Sequence, residues 1–418
     1  MSPIEEGERK RWGLFAVVLL LALATRLVIV FPALGQPPND PDGYLTLARS
    51  LVEGRGFRLV GRPTAYRPPL YPILLTPLTA IFGQNRAGPF LWLNVALGVA
   101  TTGCAMIAAR RWGFSTRRIL ATGFIVACDP VLIVQSRSVM TETLAAFLLT
   151  GAMMTLSRGP GVLPAALGGI WLGLASLCRP SLLASAVLAG GASLAFGPGS
   201  SRVRLRRSVC LIGTTILVLT PWAARNAVVF GEPVWTTTHG GYTLALANNP
   251  AYYHDVVEGR AGEVWTGPGQ RAWAEGVLAR MRGLPEPKAN RRLTAEGWRM
   301  ARAAPALFAR AAVARVERFW GIMPARSVYG PALRTAAAVW TVPLFLALGA
   351  ALASRTTWTW PRVAAAAAVL ALMVVHTFYW TDLRMRAPVV PMIALLAAGA
   401  RVPGIGSGRK PASWGGGK

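Results

Sequence analysis

Residues 12–52 read WGLFAVVLLLALATRLVIVFPALGQPPNDPDGYLTLARSLV. The first half is apolar for about 20 residues, the length of a helix that crosses a bilayer. It gives way to a proline-containing break and then to an acidic pair, Asp40 and Asp42. Behind the pair, Tyr44, Leu47, Ala48 and Leu51 recur at i, i+3, i+4 and i+7, so a short helix has one apolar face. Such a face can lie on a membrane surface, and Gly54 and Gly56 stop the helix. An acidic pair between a span and a surface helix suits chemistry at the membrane boundary. An Asp at this place also satisfies the first amides of the helix and suits its dipole. The two roles are compatible.

The rest of the chain repeats the first theme. Of 418 residues 53% are hydrophobic, mean hydropathy is +0.43, and the apolar residues come in long blocks. Spans are expected at about 13–33, 87–109, 117–135, 140–157, 162–178, 181–197, 208–229, 331–353, 360–380 and 387–400. The predicted fold is an all-α polytopic membrane protein of about ten transmembrane helices. It is read as a single membrane-embedded domain over 1–418, with an amphipathic first outer loop at about 34–86 and a mixed extracytoplasmic loop at about 230–330. No internal repeat is visible.

The net charge of +27 comes from 44 Lys and Arg against 17 Asp and Glu. These charges sit in loops between spans rather than on one soluble face, which argues against nucleic acid and for orientation, lipid headgroups and anionic substrates. One set of short loops holds Arg9, Lys10, Arg11, Arg110, Arg111, Arg117, Arg118, Arg158, Arg202, Arg204, Arg206, Arg207, Arg355 and Arg362. The opposite short loops hold only Arg137, Arg179, Arg384 and Arg386. The asymmetry places the N-terminus in the cytoplasm of a multi-pass plasma-membrane protein. Residues 68–82, PPLYPILLTPLTAIF, are too short and too rich in proline for a span and read as an interfacial or re-entrant helix. The N-terminal run lacks a small-residue cleavage site and reads as an uncleaved anchor. Cys104, Cys128, Cys178 and Cys210 show neither zinc nor disulfide spacing and read as packing residues.

On this map Asp40, Asp42, Glu142, Arg179, Arg225, Arg384 and Arg386 share the extracytoplasmic face. Glu142 opens a span, where an ionisable group is costly and marks function; the plain alternative is a pair with Arg137. Asp129, before Pro130, reads as a turn former. The arginines in LCRPSLL, PWAARN and DLRMRAP, taken singly, can snorkel to lipid headgroups. Together they can clamp a phosphate through paired, charge-assisted hydrogen bonds. Asp40-Pro41-Asp42 is also a D-x-D, but no βα alternation surrounds it. An ion held there by oxygen ligands would be Mg or Mn. His239 and His254 read as solvated loop residues.

The ordered blocks resemble a known family. They are Asp40 ahead of Tyr44 and L-A-R-x-L, then R-P-P-L-Y-P, S-R-x-x-x-T-E, G-L-x-x-L-x-R-P, P-W-x-x-R-N, G-G-Y-x-L-x-x-x-N-N-P and L-R-x-R-x-P. Together they are similar to the polytopic GT-C glycosyltransferases, in the branch of dolichyl-phosphate-mannose protein mannosyltransferases and lipid A aminoarabinose transferases. The resemblance implies a sugar donor on polyprenyl phosphate and a lipid, glycan or protein acceptor. It also implies a catalytic Asp in the first outer loop, matched by Asp40, and an acid at the second, matched by Glu142. Asp42 stands beside Asp40 where relatives often carry Asp-Glu. Arg179, Arg225, Arg384 and Arg386 are the expected phosphate ligands. Tyr44, Tyr66, Arg67, Asn248 and Asn249 are the expected substrate contacts. A lipid-linked sugar flippase using the same arginines is the rival reading, and a structural subunit a second.

Overall fold

The computed structural model describes residues 3–259, 265–326 and 329–400. After α1 (Pro3–Val30), the first long loop holds α2 (Tyr44–Val52), a hairpin of two-residue strands β1 (Arg58–Leu59) and β2 (Arg62–Pro63), and α3 (Leu70–Phe82). Apolar helices follow: α4 (Gly88–Arg111), α5 (Thr116–Cys128), α6 (Pro130–Gln135), α7 (Glu142–Leu156), α8 (Val162–Cys178), α9 (Leu183–Phe196) and α10 (Ser201–Phe230). The second long loop is helical as well, with α11 (Gly240–Ala247), α12 (Pro250–Tyr252), α13 (Pro268–Met281), α14 (Glu286–Ala303) and α15 (Pro305–Phe319). Then come α16 (Pro331–Leu352), α17 (Arg362–Phe378), a 3-10 stretch Leu383–Val389 and α18 (Val390–Ala398).

Among the described residues four helices are long and apolar enough to cross a membrane: Arg11–Ala33, Gly88–Arg111, Ser201–Phe230 and Pro331–Leu352. They match four of the expected spans. Five more apolar helices are shorter, α3 among them. The span expected at 117–135 is not continuous. Pro130 has no N–H for the Val126 carbonyl, and the Val131 and Leu132 amides turn instead to Asp129 Oδ1, at 3.0 and 3.1 Å. Asp129 is thus a cap, as its place before a proline implies. The carbonyls freed at the end of α5 find a partner that sequence reading passed over. Buried Arg26 donates to Ala127 and Val126 carbonyls at 3.2 and 3.3 Å, and Thr25 adds a bond of 2.8 Å to Ala127. Gly98 makes room, since a Cβ there would collide with the Arg26 side chain.

Small residues bring the helices close. Gly169 and Gly173 lie one turn apart on α8, and a Cβ on either would strike α10 at Leu211, Thr214 or Val218. Thr214 and Thr215 then donate across the contact to the Ala166 and Gly169 carbonyls, both at 3.1 Å. That combination of close backbones and hydroxyl bonds is how helices associate where water supplies no drive.

The bundle has two chemically different ends. At one, Trp112 donates to Ser157 Oγ at 2.8 Å, Arg118 to the Ala400 carbonyl at 3.1 Å and Arg362 to the Trp112 carbonyl at 3.4 Å. Arg207 lies 4.5 Å over the Trp360 ring at the same end of its helix. At the other end the two long loops meet, and the acids gather there. The apolar face of α2 does not lie on a membrane surface as expected. Tyr44 packs edge-on against Tyr71 of α3 at 5.3 Å, and Leu47 is buried with Phe57, Ala65, Leu177, Leu219 and Trp222. Protein, rather than lipid, covers it: α3, α8 and α10 supply the apolar side chains. α3 is 13 residues long, about 20 Å, and only one of its faces is buried.

Candidate active site

Gly43, at φ 73°, turns the chain into α2, so the Asp40 carboxylate folds back over the helix start. Its Oδ1 accepts the Tyr44 amide at 2.9 Å and its Oδ2 the Leu45 amide at 2.8 Å. Each oxygen keeps a second lone pair, so the cap does not exhaust the carboxylate. Burial raises its pKa above 3.8, the two amides pull it down, and the Asp42 charge raises it again. Asp42 is held by Arg67, with Nη2 to Oδ1 at 2.9 Å and Nε to the Asp42 carbonyl at 3.1 Å. The Arg67 guanidinium also faces the Tyr66 ring at 5.2 Å and the Tyr44 ring at 6.0 Å.

A second cluster comes from the bundle. Glu142, at the head of α7, has a side chain only 1% exposed. It does not pair with Arg137. Arg179 Nη1, at the end of α8, lies 2.9 Å from Glu142 Oε1, and Arg384 Nη1, ahead of α18, lies 3.4 Å from the same oxygen. Asp382, which sequence reading left unassigned, stands 3.8 Å from Arg384 Nε. Burial pushes its carboxyl pKa up, against the pull of the Arg384 charge. The clusters adjoin: Tyr44 lies within the fields of Asp42, Arg67, Glu142 and Arg179, and Arg384 within that of Asp42. The Asn39 carbonyl accepts the Val139 amide at 2.9 Å, and Asn39 Nδ2 donates to Ser138 Oγ at 3.0 Å. These bonds stitch the acidic loop to the turn before Glu142.

Four expected site residues fall elsewhere. Arg225 donates to the Thr64 and Phe57 carbonyls at 2.8 and 3.0 Å and lies 5.0 Å over Trp222, so it braces the first loop. Arg386 is buried, donates to the Phe319 and Gly321 carbonyls at 2.9 and 3.1 Å, and sits 4.9 Å over Phe345. Asn248 spends its amide on the Leu244 and Phe378 carbonyls. Asn249 caps α12 through the Tyr252 amide. Of the four arginines expected to meet, the structure brings Arg179 and Arg384 together at Glu142. Glu286 is the residue that sequence reading missed. Its carboxylate accepts Thr64 Oγ1 at 2.6 Å, the Ala65 amide at 2.8 Å and Thr238 Oγ1 at 2.9 Å, fastening the second long loop to the segment that presents Tyr66 and Arg67.

A divalent ion would find few ligands. Asp42 is paired with Arg67, and the described residues hold no group of three or more His, Cys, Asp or Glu suited to a metal.

No protein-family model and no curated protein matches the chain. Solved structures do. The oligosaccharyltransferase AglB of Archaeoglobus fulgidus, in complex with an inhibitory peptide and a dolichol-phosphate, aligns with 94% of this chain at 16% identity and TM-score 0.57. Its apo form aligns with 93% at 17% identity and TM-score 0.56. The chain has the GT-C fold. It spans about half the length of those AglB chains, 50% in both alignments. ArnT of Cupriavidus metallidurans, bound to undecaprenyl phosphate, aligns more loosely, with 91% of this chain and 77% of that one at 15% identity and TM-score 0.44. The resemblance read from the ordered motifs and the GT-C fold agree, across nearly the whole chain.

Proposed function

We propose that the protein transfers a sugar from a polyprenyl-phosphate donor to an acceptor hydroxyl on the extracytoplasmic side of the membrane. The observation that carries this reading is the meeting of the Asp40–Asp42 loop with the Glu142–Arg179–Arg384 cluster, at the end of a GT-C bundle opposite its arginine-rich end. With the arginine-rich end taken as cytoplasmic, the acids lie outside.

In this reaction the acceptor oxygen attacks the anomeric carbon and its proton passes to Asp40. The bond from that carbon to the phosphate oxygen breaks, and the electron pair leaves with polyprenyl phosphate. Direct displacement inverts the sugar carbon. A positioned base is worth about 10² to 10⁴ in rate, and a carboxylate with a raised pKa serves better than an ordinary one. The leaving phosphate needs charge stabilisation rather than an acid. Arg384, with 28% of its side chain exposed against 12% for Arg179, is the guanidinium that reaches it, and Arg179 holds Glu142 in place behind.

The test is turnover by the purified protein in lipid, with undecaprenyl-phosphate sugars as donors. Release of free undecaprenyl phosphate with sugar on an acceptor or on water supports the reading. Donor that binds and changes leaflet without cleavage would replace transferase with flippase.

A further inference from the structure

The second long loop carries a row of rings back to Arg67. Tyr66 meets His239 edge-on at 4.4 Å, His239 stacks on Tyr242 at 5.4 Å with planes 23° apart, and Tyr242 meets Trp273 at 5.5 Å. All four residues are partly exposed. They adjoin the Asp42–Arg67 pair, whose side chains are 24% and 17% exposed. His239 Nδ1 has no hydrogen-bond partner in the protein. Burial and the Arg67 charge lower the imidazole pKa to about 3, so the ring is neutral at working pH and stacks as an uncharged plate.

Tyr242 and Trp273 pack on the apolar clusters of the second loop, while Tyr66 and His239 stay partly exposed beside the partly exposed ion pair. Aromatic faces offer flat apolar area at little entropic cost, which suits the C–H face of a pyranose. A carboxylate and a guanidinium side by side suit its vicinal hydroxyls, one accepting and the other donating. The place is equally telling. Arg67 lies over the Tyr66 ring, which meets His239, whereas Arg384 pairs with Glu142. In a direct displacement the nucleophile enters from the side opposite the leaving phosphate. With the phosphate at Arg384, the Arg67 flank is left for the acceptor.

Resting on the transferase reading, we infer that the Tyr66–His239–Tyr242 wall is the acceptor subsite and that the acceptor is a saccharide. One sugar ring packs in the corner between Tyr66 and Tyr242, whose planes are 66° apart, and its hydroxyls reach the Asp42–Arg67 pair. A hydroxyl entering beside Tyr66 also supplies the partner that His239 Nδ1 lacks.

The experiment offers the full chain an undecaprenyl-phosphate sugar with one of three acceptors: a linear mannohexaose, a serine- and threonine-containing peptide, or a long-chain alcohol. Transfer to the hexaose is expected. Tyr66→Ala should raise the hexaose KM by about tenfold or more while the donor KM moves far less. Tyr66→Phe should restore wild-type values, since the ring face remains; a collapsed loop would not be rescued this way. Trp235→Ala, outside the wall, is the control. A preference for peptide or alcohol, or a Tyr66→Ala effect confined to the donor KM, overturns the inference while leaving the transferase reading intact. If no donor is consumed even by water, it is the transferase reading that fails. Hexaose binding without donor, read by intrinsic fluorescence in wild type and Tyr66→Ala, then decides the wall by itself: loss in the variant supports it, and no binding in either overturns it.

Discussion

Arg179 Nη1 lies 2.9 Å from Glu142 Oε1, where the end of α8 meets the head of α7, and both side chains are nearly closed to solvent. Arg384 approaches the same oxygen from the last helix pair. One carboxylate therefore ties three parts of the chain that are far apart in sequence. Breaking a buried pair from one side leaves charge uncompensated and costs about 3–5 kcal/mol. Glu142→Ala should lower the melting temperature and raise the donor KM together. Arg137→Ala, on the exposed turn nearby, should do neither. Thermal unfolding in detergent checks this.

Arg384 and Arg225 should separate as ligand and brace. Losing a charge-assisted hydrogen bond costs about 1.5–3 kcal/mol, roughly 10- to 150-fold in catalytic efficiency. Arg384→Lys keeps the charge and loses the planar fork, so it should show that loss in kcat/KM for the donor with little change in melting. Arg225→Lys and Arg386→Lys give up bonds to backbone carbonyls. They should lower stability first and activity in proportion to the folded fraction.

Glu286 makes a prediction about loop order. Glu286→Ala removes two hydrogen bonds to the segment before Tyr66 and one to Thr238, which loosens the already exposed hairpin at Arg58 and Arg62. Trypsin should cut there faster in the variant, while the unfolding temperature of the bundle moves little. Equal cutting of both proteins would mean that the loops are fastened elsewhere.

Much of this was legible in the sequence, for a physical reason. Span length, arginine asymmetry and the period of Tyr44, Leu47, Ala48 and Leu51 are local signals, and they place the acids and the four candidate phosphate-binding arginines at one end. What a helix face packs against is not local. The α2 stripe reads the same whether lipid or α3 covers it, so the sequence misplaced its partner. The same holds for arginines: Arg225 and Arg384 both stand at helix ends, yet one faces carbonyls of the first loop and the other Glu142. Glu286 is separated from Thr64 by 222 residues, and only the folded chain shows the bond. Arg26 drew no reading from the sequence, and its reason lies in the carbonyls that Pro130 frees at the end of α5.

The pH profile follows from the Asp40 environment. Asp40 acts ionised, so activity falls as pH drops through its pKa, and a pKa raised above 3.8 moves that acid limb upward. Asp42 is one of the charges that raise it. In Asp42→Asn the residual acid limb of kcat/KM should shift to lower pH than in wild type. A shift upward would mean that Asp42, and not Asp40, carries the titration. His239, already neutral with a pKa of about 3, should contribute no step near pH 6 in either protein.

If Asp40 takes the proton of the incoming hydroxyl, removing its charge alone should stop transfer. Asp40→Asn keeps an oxygen for the Tyr44 or Leu45 amide and removes the base. Single-turnover transfer from an undecaprenyl-phosphate sugar should fall by about 10² to 10⁴, with donor affinity within a few fold of wild type and the melting temperature nearly unchanged. Wild-type turnover in Asp40→Asn, with Asp42→Asn inactive, would contradict the assignment and move the base to the carboxylate that Arg67 now holds.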